Sequence, residues 1–219
     1  MRPVAPAELL ALTPGDLRST GRGLAGVLGV GPWLDAVRRA LAAGLRAVLV
    51  REPDLQDGEL AQLLERTAEL VNAVDGWLGV HDRAHLVAAC GAQGLHLGFR
   101  SLSPREARLV VGPDVTIGFS SHLDEDPDCC AGADYRSLSP VYETPSKRGL
   151  LEPIGLQALA AECARSELPI WALGGITPER LPAVRGASAR GVLVRGALLG
   201  AADPGAAVTA FLAAGEPQV

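Results

Sequence analysis

The chain has 219 residues and a mass of 22.6 kDa, with 48% hydrophobic and 21% charged residues. That balance fits a packed core within a single domain over residues 1–219 and excludes a disordered chain. A formal net charge of −5 and a pI near 5.4 argue against a nucleic-acid partner, and the chain has no uncharged apolar stretch of the ~18 residues a membrane span needs.

In chain order, short apolar runs predict strands over 8–13, 45–51, 77–81, 94–98, 115–119, 134–139, 168–173 and 191–194. Residues 14–31, rich in Gly and Arg, read as a long first βα connection. Between Gln56 and Val74 the apolar positions Leu60, Leu63, Leu64, Leu70, Val71 and Val74 form a helical stripe. Leu156, Leu159, Ala160 and Cys163 form another, and Val208, Phe211 and Leu212 a third. A small residue followed by glycine precedes several strands, at Ala43-Gly44, Cys90-Gly91, Ala131-Gly132 and, in looser form, Arg185-Gly186. This is the punctuation of a helix end feeding a buried strand. Eight βα units in this length predict an α/β fold, a single (β/α)₈ TIM barrel. The doubly wound alternative lacks its G-x-G-x-x-G turn.

In such a barrel the chemistry gathers after the strand ends. Those positions hold Arg51 and Glu52, His81-Asp82-Arg83, Gly98, Arg100 and Ser101, Ser120-Ser121-His122, the run from Tyr142 to Gly149, Gly174-Gly175 with Thr177, and Arg195-Gly196. Gly174-Gly175 ahead of a helix starting at Thr177-Pro178, together with Arg195-Gly196, suits a phosphate held by backbone N–H groups after strands 7 and 8; tight-turn geometry alone is the other reading. Thr144, Ser146 and Lys147 lie in a loop with two hydroxyls and two cations, fit for a second anion. Lys147 is the one lysine among 20 basic residues. His81 with Asp82, or His122, offers a base, and His81-Asp82 is also compatible with a divalent ion. His85 reads as a helix-surface residue and His96 as barrel interior. The four cysteines form no C-x-x-C pair, and reduced thiols, the absence of a secretory leader and a cytoplasmic location are expected.

The ordered series Val48-Leu49-Val50-Arg51-Glu52, Val80-His81-Asp82-Arg83, Gly94-Leu95-His96-Leu97-Gly98, Gly118-Phe119-Ser120-Ser121-His122, Pro140-Val141-Tyr142-Glu143-Thr144-Pro145-Ser146-Lys147 and Ala172-Leu173-Gly174-Gly175-Ile176-Thr177-Pro178 resembles the thiamine-phosphate synthase and TenI family. The resemblance runs from about Leu9 to Ala201. It implies a barrel that handles thiazole phosphate in thiamine biosynthesis. Synthases of the family join hydroxymethylpyrimidine diphosphate to thiazole phosphate with Mg2+ and release pyrophosphate. TenI proteins aromatise a thiazole phosphate carboxylate by proton transfer and need no cofactor.

Against the synthase pattern, the glutamine and lysine flanking Leu-Arg-Glu are Leu49 and Pro53 here, and the asparagine before Asp82 is His81. A glutamine and a magnesium-binding aspartate have become Phe99 and Ser101, and a serine has become Gly196. Arg51, Asp82, Ser120, Thr144, Ser146 (for a threonine), Lys147, Gly174 and Gly175 keep the pattern. The TenI histidine at the end of strand 6 is Pro140 here. These departures favour a thiazole tautomerase over a synthase, with a non-catalytic phosphate-binding barrel as a further alternative. In the tautomerase reading, His122 or His81 moves the proton and Arg51 orients a carboxylate or phosphate. Gly174, Gly175, Arg195 and Gly196 hold the thiazole phosphate, and Asp82 binds metal only in the synthase reading. A small phosphorylated thiazole is the expected partner, and a homodimer or higher homo-oligomer is compatible with the resemblance.

Overall fold

Short runs of β-branched and leucine residues cannot leave either face in water, so they need cover on both sides. The computed structural model, which describes residues 5–15, 17, 31–123, 125–144, 149 and 151–215, meets that need with a closed parallel barrel. Its strands are β1 (Leu9–Leu12), β2 (Ala47–Val50), β3 (Trp77–His81), β4 (Gly94–Leu97), β5 (Thr116–Ser121), β6 (Tyr135–Leu138), β7 (Ile170–Leu173) and β8 (Gly191–Val194). Neighbours pair in chain order and β8 closes on β1. The helices outside the ring are α1 (Gly31–Ala42), α2 (Asp57–Asn72), α3 (Ala84–Ala89), α4 (Pro104–Val111), α5 (Gly155–Arg165), α6 (Leu181–Gly186) and α7 (Pro204–Gly215).

All eight expected strands are present, each slightly shorter than or close to its predicted run. Four local expectations change. Between β5 and β6 the described residues form a short 3-10 turn, Pro127–Cys130, in place of a helix. The left-handed residue before β8 is Ser188 (φ 64), not Gly186, which ends α6. Thr177 does start a turn with Pro178, but that turn is 3-10 (Pro178–Arg180) and leads into α6. The third helical stripe is incomplete, since Val208 and Phe211 are buried while Leu212 is 40% exposed. Among the described residues, no helix is long and apolar enough to cross a membrane.

The outward faces of the strands pack on the helices, and the inward faces fill the barrel. Leu10, Leu12, Ala47, Leu49, Trp77, Tyr135, Trp171 and Leu193 make the interior plug. Large rings there need small neighbours on adjoining strands. A Cβ at Gly118 would lie 2.2 Å from Tyr135 Cζ and 2.5 Å from His96 Nδ1, so glycine at 118 lets these two rings meet across β5. Above the plug the inward positions turn polar, with His81, His96, Ser120 and Ser137. That change marks the floor of the cavity.

Candidate active site

One cavity of about 1170 Å³ opens at the C-terminal ends of the strands. Leu12, Leu49, Leu173 and Leu193 give it an apolar base. Its walls collect Arg51 after β2, Arg83 after β3, Arg100 after β4, Arg180 after β7 and Arg195 after β8. Glu52, Asp82 and Glu143 also belong to the lining. The balance is cationic and suits phosphorylated ligands.

The β1–β2 side is rigidly built. Thr13 Oγ1 accepts the Arg51 N–H (2.8 Å) and donates to the Arg51 carbonyl (3.0 Å). The Glu52 carboxylate is buried and takes the N–H groups of Gly15 and Leu17, each at 2.9 Å. Glu52 thus latches the loop after β1. Arg195 donates to the Pro14 carbonyl. Burial, and after it the charge of Arg195, hold the Arg51 guanidinium below its ordinary value. Two crowded guanidinium groups at one wall form an arrangement that an anion relieves.

The two candidate bases differ. His81 ends β3 and is pulled down to about 4, first by burial and then by Arg51. It is a neutral imidazole at pH 7 and a poor proton acceptor. His122 follows β5, and its Nδ1 lies 2.9 Å from Glu125 Oε1. A carboxylate can only accept, so Nδ1 carries the proton and Nε2 is the basic nitrogen. Of the two, His122 therefore presents a basic ring nitrogen oriented by a carboxylate, Glu125, which is absent from the sequence reading. The signal was the His122–Glu125 spacing, but the loop geometry needed to join them could not be read.

Ser120, Thr144, Gly174, Gly175 and Gly196 all line the cavity, as does Asp82. Gly174 and Gly175 have φ of 104° and 63°, and a Cβ at Gly175 would lie 2.5 Å from the Glu143 carbonyl oxygen. Only glycine fits that turn without strain. Arg180, also missed in the sequence, stacks 4.5 Å over the Tyr142 ring and donates to the Gly175 carbonyl (2.5 Å). Ser146 and Lys147 lie outside the described residues.

Asp82 holds φ at 71°, the left-handed region that aspartate enters more readily than most non-glycine residues, and its N–H bonds the His96 carbonyl (3.0 Å). Ser101, at the place of a metal-binding aspartate, spends its hydroxyl oxygen on the Gly98 N–H (2.8 Å). Among the described residues no three His, Cys, Asp or Glu side chains group to hold a metal ion by themselves.

Residues 29–198 match the family model described as thiamine monophosphate synthase. A bifunctional thiamine biosynthesis protein of Symbiobacterium thermophilum is 38% identical over 81% of this chain, which spans 38% of that longer protein. A thiamine-phosphate synthase of Moorella thermoacetica is 38% identical over 80% of this chain and 85% of its own length. The solved thiamine phosphate pyrophosphorylase from Pyrococcus furiosus superposes with a TM-score of 0.78 at 25% identity, covering 94% of each chain. With the closed barrel and its cationic cavity, these matches establish that the chain belongs to the thiamine-phosphate synthase/TenI family of thiamine biosynthesis.

Proposed function

We propose that this chain joins hydroxymethylpyrimidine diphosphate to thiazole phosphate and releases pyrophosphate. The observation that carries this reading is the convergence of Arg51, Arg100, Arg180 and Arg195 on one cavity, with Arg83 also in the lining but ion-paired to Asp57 (2.9 Å). A tautomerase has one phosphate and one carboxylate to bind, whereas the synthase reaction brings a diphosphate and a phosphate together. The names of the relatives support the same choice. It reverses the preference drawn from the lost motif residues, because those losses count single positions while the cavity pools cations from several strand ends.

In this reading Gly174, Gly175, Gly196 and Arg195 seat the thiazole phosphate, and Arg51 and Arg100 face the diphosphate. The thiazole nitrogen gives its lone pair to the pyrimidine methylene carbon, and the electron pair of the carbon–oxygen bond to the diphosphate passes to the departing oxygen. Guanidinium groups already in place stabilise that charge without reorganising. Asp82 fits a magnesium ion that takes its remaining ligands from diphosphate oxygens and water, which is the usual protein contribution to such an ion. The ion would neutralise charge on the leaving group. Thr144 lines the cavity as a contact for the second anion, and Ser146 and Lys147, outside the described residues, are its further candidates from the sequence.

A tautomerase remains the second reading, carried by the His122–Glu125 pair. The deciding experiment supplies the purified chain with hydroxymethylpyrimidine diphosphate, thiazole phosphate and Mg2+ and measures thiamine phosphate and pyrophosphate. Formation of both supports the synthase. Their absence, with turnover of a thiazole phosphate carboxylate tautomer, would replace it by the tautomerase.

A further inference from the structure

The barrel interior holds a polar chain that the reaction as described does not use. Tyr135 of β6 is completely buried, and its hydroxyl lies 2.9 Å from His96 Nδ1. His96 Nε2 lies 3.0 Å from Ser120 Oγ and 3.2 Å from Ser137 Oγ. Ser120 lines the cavity. The Trp171 ring packs on Tyr135 in a T-shaped arrangement, with centroids 5.0 Å apart.

We propose that Tyr135 and His96 are positioning residues that fix Ser120 as a hydrogen-bond donor to the anionic substrate. A buried hydroxyl must give its proton to an acceptor. Among the described residues the recorded acceptor for Tyr135 is His96 Nδ1. Burial pushes the Tyr135 phenol up, so it keeps that proton and donates it to Nδ1. A neutral imidazole has one N–H. With Nδ1 accepting from Tyr135, that N–H is on Nε2 and points at Ser120 and Ser137. Ser120 Oγ is then occupied as an acceptor from below, and its own proton is left to donate. The neighbouring Ser137 Oγ is 3.4 Å away, a long contact, so a phosphate oxygen in the cavity is the stronger acceptor. The opposite tautomer would leave the Tyr135 proton buried with no recorded acceptor among the described residues.

The inference rests on the phosphorylated-substrate reading only for the identity of the acceptor, so its test needs no turnover. Long-range ¹H–¹⁵N spectra of the imidazoles in the labelled full chain report the tautomer directly. His96 is expected as the Nε2–H form at pH 7, and its Nε2 resonance should shift when inorganic pyrophosphate is added. By calorimetry Ser120→Ala should weaken pyrophosphate binding ~10-fold, the scale of a lost hydrogen bond to a charged group. Tyr135→Phe should weaken binding severalfold in the native background and add nothing in the Ser120→Ala background, because both act through one hydroxyl. An Nδ1–H tautomer in the unmodified chain, or independent effects of the two substitutions, overturns the proposal. Should Tyr135→Phe fail to fold, the tautomer of the unmodified chain still decides. A chain without synthase activity that keeps the Nε2–H tautomer and binds pyrophosphate through Ser120 would remove the proposed reaction and leave this inference intact.

Discussion

The rings of His81 and His96 face each other across β3 and β4 at the same register level, with centroids 6.0 Å apart. Arg51, Asp82 and Arg83 provide the charges around His81, and neither ring is charged at neutral pH. Burial, the largest cause for both, places His81 at about 4 and His96 at about 3, against about 6.5 in an unfolded chain. Between those values the unfolded chain binds more protons than the folded one. Stability is therefore lost as pH falls from about 6.5, and the loss runs on to about 4 for His81 and about 3 for His96. Each ring should contribute about 2 kcal/mol of destabilisation between pH 7 and pH 5. Urea unfolding at the two pH values checks this. His81→Asn should recover about half of the pH-dependent loss from the pair.

Glu125 and His122 yield a prediction that separates the two chemistries. Glu125→Gln can still contact Nδ1, but it no longer enforces the tautomer with a basic Nε2 or stabilises the imidazolium. If the chain turns over a thiazole tautomer, Glu125→Gln should lower that rate ~10-fold or more, within the range that an oriented base contributes. The synthase rate should fall less, because charge on departing pyrophosphate is met mainly by guanidinium groups. Parallel rate measurements on both substrate sets test this, and a larger loss in the synthase reaction would make His122 part of its machinery.

Much of the barrel was legible because strands covered on both faces must be short apolar runs, and Val48 to Val50 or Gly191 to Val194 admit few other readings. The strand-end residues followed from that alone. Legibility failed where a partner depends on register or loop shape. Tyr135 and His96 are 39 residues apart and meet because β4, β5 and β6 bring 96, 118 and 135 to one level. Arg180 drew no reading in the sequence, and the 3-10 turn folds its guanidinium back onto Gly175 and Tyr142. Glu52 was visible after β2 but holds the loop after β1. Arg51, Arg83, Arg100 and Arg195 were already legible as strand-end residues, and Arg180 is the cavity arginine that the sequence reading missed.

Magnesium should bind this chain weakly without diphosphate, since among the described residues no three His, Cys, Asp or Glu side chains group to hold it and Ser101 is engaged with the Gly98 N–H. Calorimetry should show little Mg2+ binding to the free chain and clear binding once pyrophosphate is present. Ser101→Asp should raise Mg2+ affinity for the free chain severalfold while still accepting from Gly98. Tight Mg2+ binding to the unmodified free chain would point to ligands beyond Asp82.

The glycines of the phosphate wall separate folding from binding. At Gly175 a methyl group would fall 2.5 Å from the Glu143 carbonyl oxygen and 2.8 Å from Tyr142 Cβ, on a backbone with φ of 63°. Gly175→Ala should therefore destabilise the fold by ~1–3 kcal/mol, from left-handed strain and from displacing the loop after β6. At Gly196 nothing lies within 4 Å of an added Cβ, and φ is outside the left-handed range. Gly196→Ala should leave stability within ~0.5 kcal/mol. Its effect on thiazole phosphate affinity is then a direct reading of how closely the ligand approaches the backbone. A severalfold loss with an unchanged unfolding midpoint places the phosphate against residue 196. Unchanged affinity would confine the phosphate to the Gly174-Gly175 turn and Arg195.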